Sequence, residues 1–401
     1  MKRILYIHHG KGIGGAPLSL LYLIRSLDKT KYYPIVLCLY KSKAVDLYRN
    51  EGIETYLTSS IKNFSHTTLH WYSLKYFLKL FSRIIWFLPS IINTCKIVKD
   101  LRVDLIHLNG ASLAPSAIGS KLAGIPVVWH IREPISKGYF GIRKFLLKHC
   151  INKLSDRVIS ICRSDAKRLI KSDKVQIIYN FVDFQEFDRL ISGENFRREF
   201  KITNQTKTVG MFGGVTEVKG TLEFIKAAKL VQGKIPDVKF FIVGPLFSKM
   251  KKGIKQILKR IIKSILGMRN YYEKITKFIK NNNLDQTVIF TGVRHDIPNI
   301  LASLDLVAFP SIVPHFGRPI IEAGAMAKPV VAFNVDGPNE LILDNITGNL
   351  APLKNINRLS KSIIEILNDE NRAKKLGEAG CERAKKLFNS EINAKEVFKI
   401  Y

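Results

Sequence analysis

The chain is poor in acid. Only 33 Asp and Glu stand against 64 Lys and Arg, giving a formal net charge of +31 and a pI near 9.9. So basic a surface calls for a negatively charged partner: nucleic acid, an anionic membrane or an acidic substrate. Zinc-finger spacing and the aromatic signature of RNA-binding sheets are both missing, so no nucleic acid is expected and a membrane surface is favoured. Cysteine is sparse. Cys38, Cys95, Cys150, Cys162 and Cys381 are odd in number, scattered, and never form a Cys-x-x-Cys pair. That usage fits a reducing, cytoplasmic setting and argues against a structural metal. Long apolar runs are missing too. None reaches the roughly 20 residues needed to span a bilayer, and the nearest, Leu80 to Ile92, is broken by Arg83 and Pro89. Met1-Lys2-Arg3 is charged like a secretory leader, but the following apolar run ends at His8-His9-Gly10 and is expected to be a first strand.

What is present is a repeated local grammar. With 401 residues and 46% hydrophobic content, two domains can each bury a core. Arg3 to His9 reads as a buried strand. The glycine loop Gly10-Lys11-Gly12-Ile13-Gly14-Gly15 follows, then an amphipathic helix from Leu18 to Leu27. Strand, glycine loop and helix open a Rossmann-like unit, and glycine lets backbone approach a ligand that any Cβ would block. The spacing is not Gly-x-Gly-x-x-Gly, so a nicotinamide site is not supported; a tight turn without ligand is the alternative reading. The pattern returns at Thr208 to Phe212, Gly213-Gly214-Val215-Thr216-Glu217-Val218-Lys219-Gly220, and a helix over Thr221 to Leu230. A lysine at a helix start is poorly placed without an anion, so Lys219 is expected to meet a pyrophosphate rather than only solvent. A third instance runs from strand Leu306–Phe309 through Pro310 and Gly317 to a helix opening near Arg318, with Glu322 one turn in, where a carboxylate can take a ribose hydroxyl. The strand from Val127 runs out at His130, where polar side chains face the ligand crevice of open α/β sheets, unless backbone groups merely satisfy the ring. Polar residues dominate Gln185 to Thr206, the expected linker.

These stretches resemble the retaining glycosyltransferases of the GT-B fold, family 4 type, also described as glycosyl transferases group 1. The resemblance runs from the first strand to about Leu387 and is most specific between Val288 and Gly348. It implies an α/β fold of two Rossmann-like domains facing across a cleft. Residues 1–190 would bind the acceptor and 191–385 the nucleotide-sugar, and residues 386–401 would form a helix crossing back to the first domain. It further implies His130, Lys219 and Glu322 as catalytic residues, with His130 near the transferred sugar. Gly14, Gly15, Gly214, Arg294, His315, Phe316, Gly317, Arg318 and Pro319 would contact the donor, Arg294 near its nucleobase. A nucleotide-diphospho-sugar is the implied donor. No cofactor or metal is expected, and no Asp-x-Asp is present. Three departures stand out: Gly214 occupies the place of a family arginine, Pro314 that of the first glutamate of Glu-x-Phe-Gly, and Phe181 that of the glycine in Asn-Gly-Val-Asp. No protein nucleophile is therefore assigned. His315 is expected either to donate to the sugar or phosphate, or to be an exposed loop residue. A nucleotide-sugar epimerase and a non-catalytic sugar-nucleotide-binding partner are the rival readings.

Two segments carry the excess charge beside apolar stripes. Trp71, Leu74, Leu78, Phe81, Ile85 and Leu88 recur at helical spacing with Lys75, Lys79 and Arg83 among them. Ile254, Ile257, Leu258, Ile261, Ile262, Ile265 and Leu266 do likewise, and Glu273 is the only acid between Lys249 and Lys280. Such helices suit an anionic bilayer interface; packing in a domain core is the alternative. The expectation is a peripheral protein at the inner face of the cell membrane, acting on a lipid-linked glycan acceptor.

Overall fold

The computed structural model describes residues 1–10, 12, 14–64, 74–246 and 271–401, without the side chains of 74–77. The second basic stripe, over residues 254–266, and Trp71 lie outside the described residues. The chain divides into two compact units, Met1–Asp183 with Leu387–Tyr401, and Phe184–Lys386.

The first unit is built on seven strands: β1 (Lys2–His8), β2 (Tyr32–Cys38), β3 (Glu54–Leu57), β4 (Leu105–Asn109), β5 (Val127–Ile131), β6 (Arg157–Ser160) and β7 (Val175–Ile177). All pair in parallel, in the order β3-β2-β1-β4-β5-β6-β7. Parallel strands are covered on both faces and so are apolar throughout, and successive residues alternate between two cores. Leu5, Ile7, Ile35, Leu37, Ile106, Leu108, Val127 and Trp129 fill one. Ile4, Tyr6, Val36, Cys38, Leu105, Val128 and Ile159 fill the other, together with Leu20, Leu23, Ala394 and Val397. These last four lie on the helices Gly15–Arg25 and Ser390–Phe398, so the end of the chain completes the first unit's second core.

Sequence alone runs one helical segment through Ala373 to Tyr401. The structure breaks it into Glu370–Leu387 and Ser390–Phe398, where Asn389 accepts from the Glu391 amide at 2.8 Å and starts the second helix. Phe181 is fully buried in the second core and is not among the residues with positive φ. Its turn needs no glycine, and the aromatic ring instead serves as core.

The second unit has six parallel strands, β8 (Lys207–Phe212), β9 (Val238–Val243), β10 (Val288–Gly292), β11 (Leu306–Phe309), β12 (Val330–Phe333) and β13 (Asn349–Ala351), in the order β10-β9-β8-β11-β12-β13. In each sheet the strand order reverses once, between β1 and β4 and between β8 and β11. Crevices outside the carboxyl ends of strands at such switch points are where open α/β sheets bind ligands.

Candidate functional site

In the second unit the switch point gathers two loops. After β8, the Gly213 and Gly214 amides both donate to the Val243 carbonyl at 2.9 Å. Gly214 has φ +73°, and a Cβ there would sit 2.4 Å from the Pro245 oxygen. No arginine fits at this position. The Gly214 amide, an expected donor contact, is used inside the loop. The chain then makes a short turn over Glu217–Lys219 and reaches Gly220, φ +71°, before the helix Thr221–Gln232. A Cβ on Gly220 would fall 1.7 Å from the Pro310 carbonyl oxygen. Glycine is required where this loop crosses the one that follows β11. The second loop clasps the first: the Ser311 hydroxyl donates to the Val218 carbonyl at 3.0 Å, and the Ile312 amide to the same oxygen at 3.2 Å.

This clasp brings Lys219 to His315, Nζ to Nε2 at 2.7 Å. His315 Nδ1 lies 3.1 Å from the Val313 carbonyl, which only accepts, so Nδ1 carries the proton and Nε2 receives the lysine's. Burial, and then the Lys219 charge, push the His315 pKa down to about 3, so the ring is neutral. His315 is thus not an exposed loop residue, and its Nε2 accepts from the lysine and aims it. Burial draws the Lys219 pKa down to about 8. Its ammonium lies 5.7 Å from the Phe309 ring centroid, and no carboxylate pairs with it among the described residues. A cation held by a neutral imidazole and an aromatic face lacks a counter-ion, and an anion would supply one.

The helix Arg318–Ala325 begins beside the same loop. Gly317 precedes it, where a Cβ would strike Ile320 at 2.6 Å; Pro319 sits in its first turn, where no amide is required. Phe316 is buried behind the loop. Arg318 Nε lies 2.6 Å from Glu322 Oε1, both side chains buried. Burial raises the Glu322 pKa, against the Arg318 charge. Pro314, at the place of the family's first glutamate, is exposed. Arg294, the expected nucleobase contact, is engaged within the protein. It follows edge strand β10 and is held by Glu199 at 2.8 and 2.9 Å and by Asp296 at 2.9 and 2.7 Å. Two carboxylates hold the guanidinium and brace the adjoining segments.

In the first unit the switch point is lined by polar residues at strand ends. His8 closes β1 and Asn109 closes β4, with Asn109 Nδ2 3.1 Å from His8 Nδ1. Arg132, just past β5, donates through Nε to Asn109 Oδ1 at 2.8 Å and through Nη1 to Asn180. His130 is buried, its Nδ1 3.1 Å from His107 Nε2, while its Nε2 has no hydrogen-bond partner. Burial, Arg132 and the neighbouring ring hold its pKa well below the usual imidazole range. Gly14 caps the helix Gly15–Arg25, and a Cβ on Gly14 would meet nothing within 4 Å; Lys11 and Ile13 lie outside the described residues. Asn109 and His107 were missed from sequence. Their signal was two polar residues two apart in a short strand that should otherwise be apolar. Among the described residues no group of three His, Cys, Asp or Glu side chains is placed to hold a metal ion.

Comparisons with known proteins agree with this architecture. Residues 13–186 match the model described as Glycosyltransferase Family 4, and residues 192–383 the model described as Glycosyl transferases group 1. The chain is 24% identical over 302 residues to the UDP-Gal:alpha-D-GlcNAc-diphosphoundecaprenol alpha-1,3-galactosyltransferase of Escherichia coli, covering 71% of each. It is 21% identical to the capsular polysaccharide biosynthesis glycosyltransferase CapM of Staphylococcus aureus, covering 89% of this chain and 92% of CapM. Among solved structures, Anabaena HepE in complex with UDP superposes with a TM-score of 0.79 at 22% identity, over 100% of this chain and 99% of HepE. A structure of HepE with UDP-glucose gives a TM-score of 0.78. The doubly wound sheets and these matches converge: the chain belongs to the GT-B glycosyltransferases of the group 1, family 4 type, enzymes that transfer a sugar from a nucleotide-diphospho-sugar donor to an acceptor.

Proposed function

We propose that this enzyme moves a hexose-type sugar, with retention at the anomeric carbon, onto a hydroxyl of a lipid-linked glycan at an anionic membrane surface. The observation that carries the donor assignment is Lys219, held at 2.7 Å by a neutral His315 with no carboxylate partner among the described residues. Negative charge grows on the departing diphosphate in the transition state, and preorganised cations and helix amides stabilise it without reorganising. Lys219 and the start of the helix Arg318–Ala325 fill that role. Glu322 takes the ribose hydroxyls, exchanging its contact with Arg318 for them. In the first unit, His130 Nε2 takes a sugar hydroxyl, and Gly14 and Gly15 offer helix-start amides to phosphate.

With Pro314 in place of a carboxylate, the reaction proceeds on one face of the sugar. The anomeric carbon–oxygen bond breaks with its electron pair passing to the diphosphate. The acceptor oxygen bonds to the same face, and its proton goes to a leaving-phosphate oxygen. The relatives named for a diphosphoundecaprenol substrate and for capsular polysaccharide support a lipid-linked acceptor.

The membrane reading is supported by exposed apolar side chains on the helices Leu74–Ile85 and Phe87–Asp100: Leu78, Phe81, Ile84, Ile85, Leu88 and Ile92, with Lys79 and Arg83 beside them. Among the described residues no single helix is long and apolar enough to cross a membrane, although Leu78–Ile85 and Phe87–Asp100, bent by 50° at their break, are together long and apolar enough. The testing experiment incubates the enzyme with a panel of nucleotide-sugars, UDP-glucose first because HepE is solved with it. Nucleoside diphosphate should be released only when a polyprenyl-diphosphate-linked saccharide is added, with the new anomeric centre matching the donor's by NMR. Release without acceptor, or an inverted product, refutes the proposal.

A further inference from the structure

Behind His130 the first unit contains a hydrogen-bonded line whose other members, Tyr401 and His107, the proposed chemistry leaves unassigned. Tyr401 Oη lies 2.7 Å from His107 Nδ1, and His107 Nε2 lies 3.1 Å from His130 Nδ1. The line ends at His130 Nε2, which is buried and unpartnered. All three side chains sit on one sheet face. In parallel register, Tyr6 stands beside His107 and Asn109 beside His130, so His107 and His130 both point toward the layer formed by the helix Ser390–Phe398. That helix delivers Tyr401, whose ring packs edge-on against His107 at 5.8 Å and lies 6.4 Å from Tyr6 and 6.0 Å from Tyr32.

A neutral imidazole has one N–H and one lone pair, so two linked neutral rings have coupled tautomers. In one series Tyr401 donates to His107 Nδ1, His107 donates from Nε2 to His130 Nδ1, and His130 Nε2 carries a proton. In the other series every bond is reversed and His130 Nε2 is a bare lone pair. Phenol is the stronger acid, so an O–H···N bond is favoured over N–H···O, and 2.7 Å suits the former. Burial and the Arg132 charge keep both rings neutral, and burial keeps the phenol protonated.

We propose that Tyr401 and His107 are positioning residues that fix the tautomer of His130, presenting its Nε2 as a hydrogen-bond donor to a ligand hydroxyl. This rests on the reading that His130 meets the transferred sugar.

The test uses the full chain labelled with 15N-histidine. Long-range 1H–15N spectra of the ligand-free protein should show His130 protonated at Nε2, with the His130→Gln variant supplying the assignment. In Tyr401→Phe, which keeps the buried ring and removes only the hydroxyl, the bias is released and the Nδ1–H form should appear. His107→Leu, which cuts the line in the middle, should do the same. Turnover should fall about tenfold in both variants, the worth of one hydrogen bond, with KM for the donor changing less than kcat. A wild-type His130 protonated at Nδ1, or tautomers unchanged in both variants, overturns the relay. A shifted tautomer with unchanged turnover upholds the relay and overturns the assignment of His130 to the sugar.

Discussion

Replacing Lys219 by methionine should make the protein more stable and far less active. The structure supplies both magnitudes. A lysine whose pKa falls from 10.5 to about 8 on folding pays on the order of 3 kcal/mol at neutral pH to keep its charge. The sign follows from linkage. The unfolded chain holds this proton more tightly, so the penalty is present below about pH 8 and fades as pH rises toward 10.5. Methionine keeps most of the stem and the contact with Phe309 while removing the charge. Losing the His315 hydrogen bond and the interaction with the Phe309 ring costs roughly 1 to 2 kcal/mol. The net gain is about 1 to 2 kcal/mol, or about 2 to 8 °C in Tm for a unit of this size. Removing one preorganised donor to a departing anion lowers kcat about 100- to 1000-fold. Scanning calorimetry of the ligand-free variant reads the first quantity, and acceptor-dependent release of nucleoside diphosphate the second. A variant with unchanged or lower Tm, or turnover within tenfold of the parent, refutes the claim that this cation is kept for an anionic ligand.

Other expectations follow from the same geometry. Diphosphate affinity by calorimetry should be flat below about pH 8 and weaken above it, since Lys219 then begins to lose its proton in the free protein; a flat profile to pH 9.5 contradicts this. Gly220→Ala should cost on the order of 3 kcal/mol or more, because its Cβ meets the Pro310 carbonyl, whereas Gly14→Ala should change the Tm of the first unit little. Glu322→Gln should raise KM for the nucleotide-sugar more than it lowers kcat, as fits a ribose-holding group; equal loss in kcat and kcat/KM would move Glu322 into the transition state. The wild-type protein should float with anionic vesicles at low salt and dissociate at high salt. Changing Phe81 and Leu88 to glutamate should abolish flotation, and persistence would place membrane contact elsewhere.

Much of this was legible because it depends on local pattern. Buried parallel strands announce themselves as Val/Ile/Leu runs, and glycine loops ahead of helices mark both switch points. Lys219 stood out through its electrostatically wrong position at a helix start. What could not be read depends on contacts distant in sequence. His315 sits 96 residues from the lysine it aims, and nothing local says its ring accepts rather than donates. Arg294 is held by Glu199, 95 residues away, a pairing that no local pattern announces. Phe181 broke a motif because the core it enters is finished by residues from the far end of the chain. Gly214 looked like a lost cation, yet backbone geometry admits no side chain there.

The returning tail bears on how the protein comes into being. A ribosome releases residues 1–183 well before 387–401, with the entire other unit made in between. Until the tail docks, Tyr6 and Tyr32 lack the rings of Phe398 and Tyr401 that pack against them, and His107 lacks its phenol. The first unit is thus begun before the second and completed after it, and its buried histidines acquire their working order only once residues 387–401 have been made.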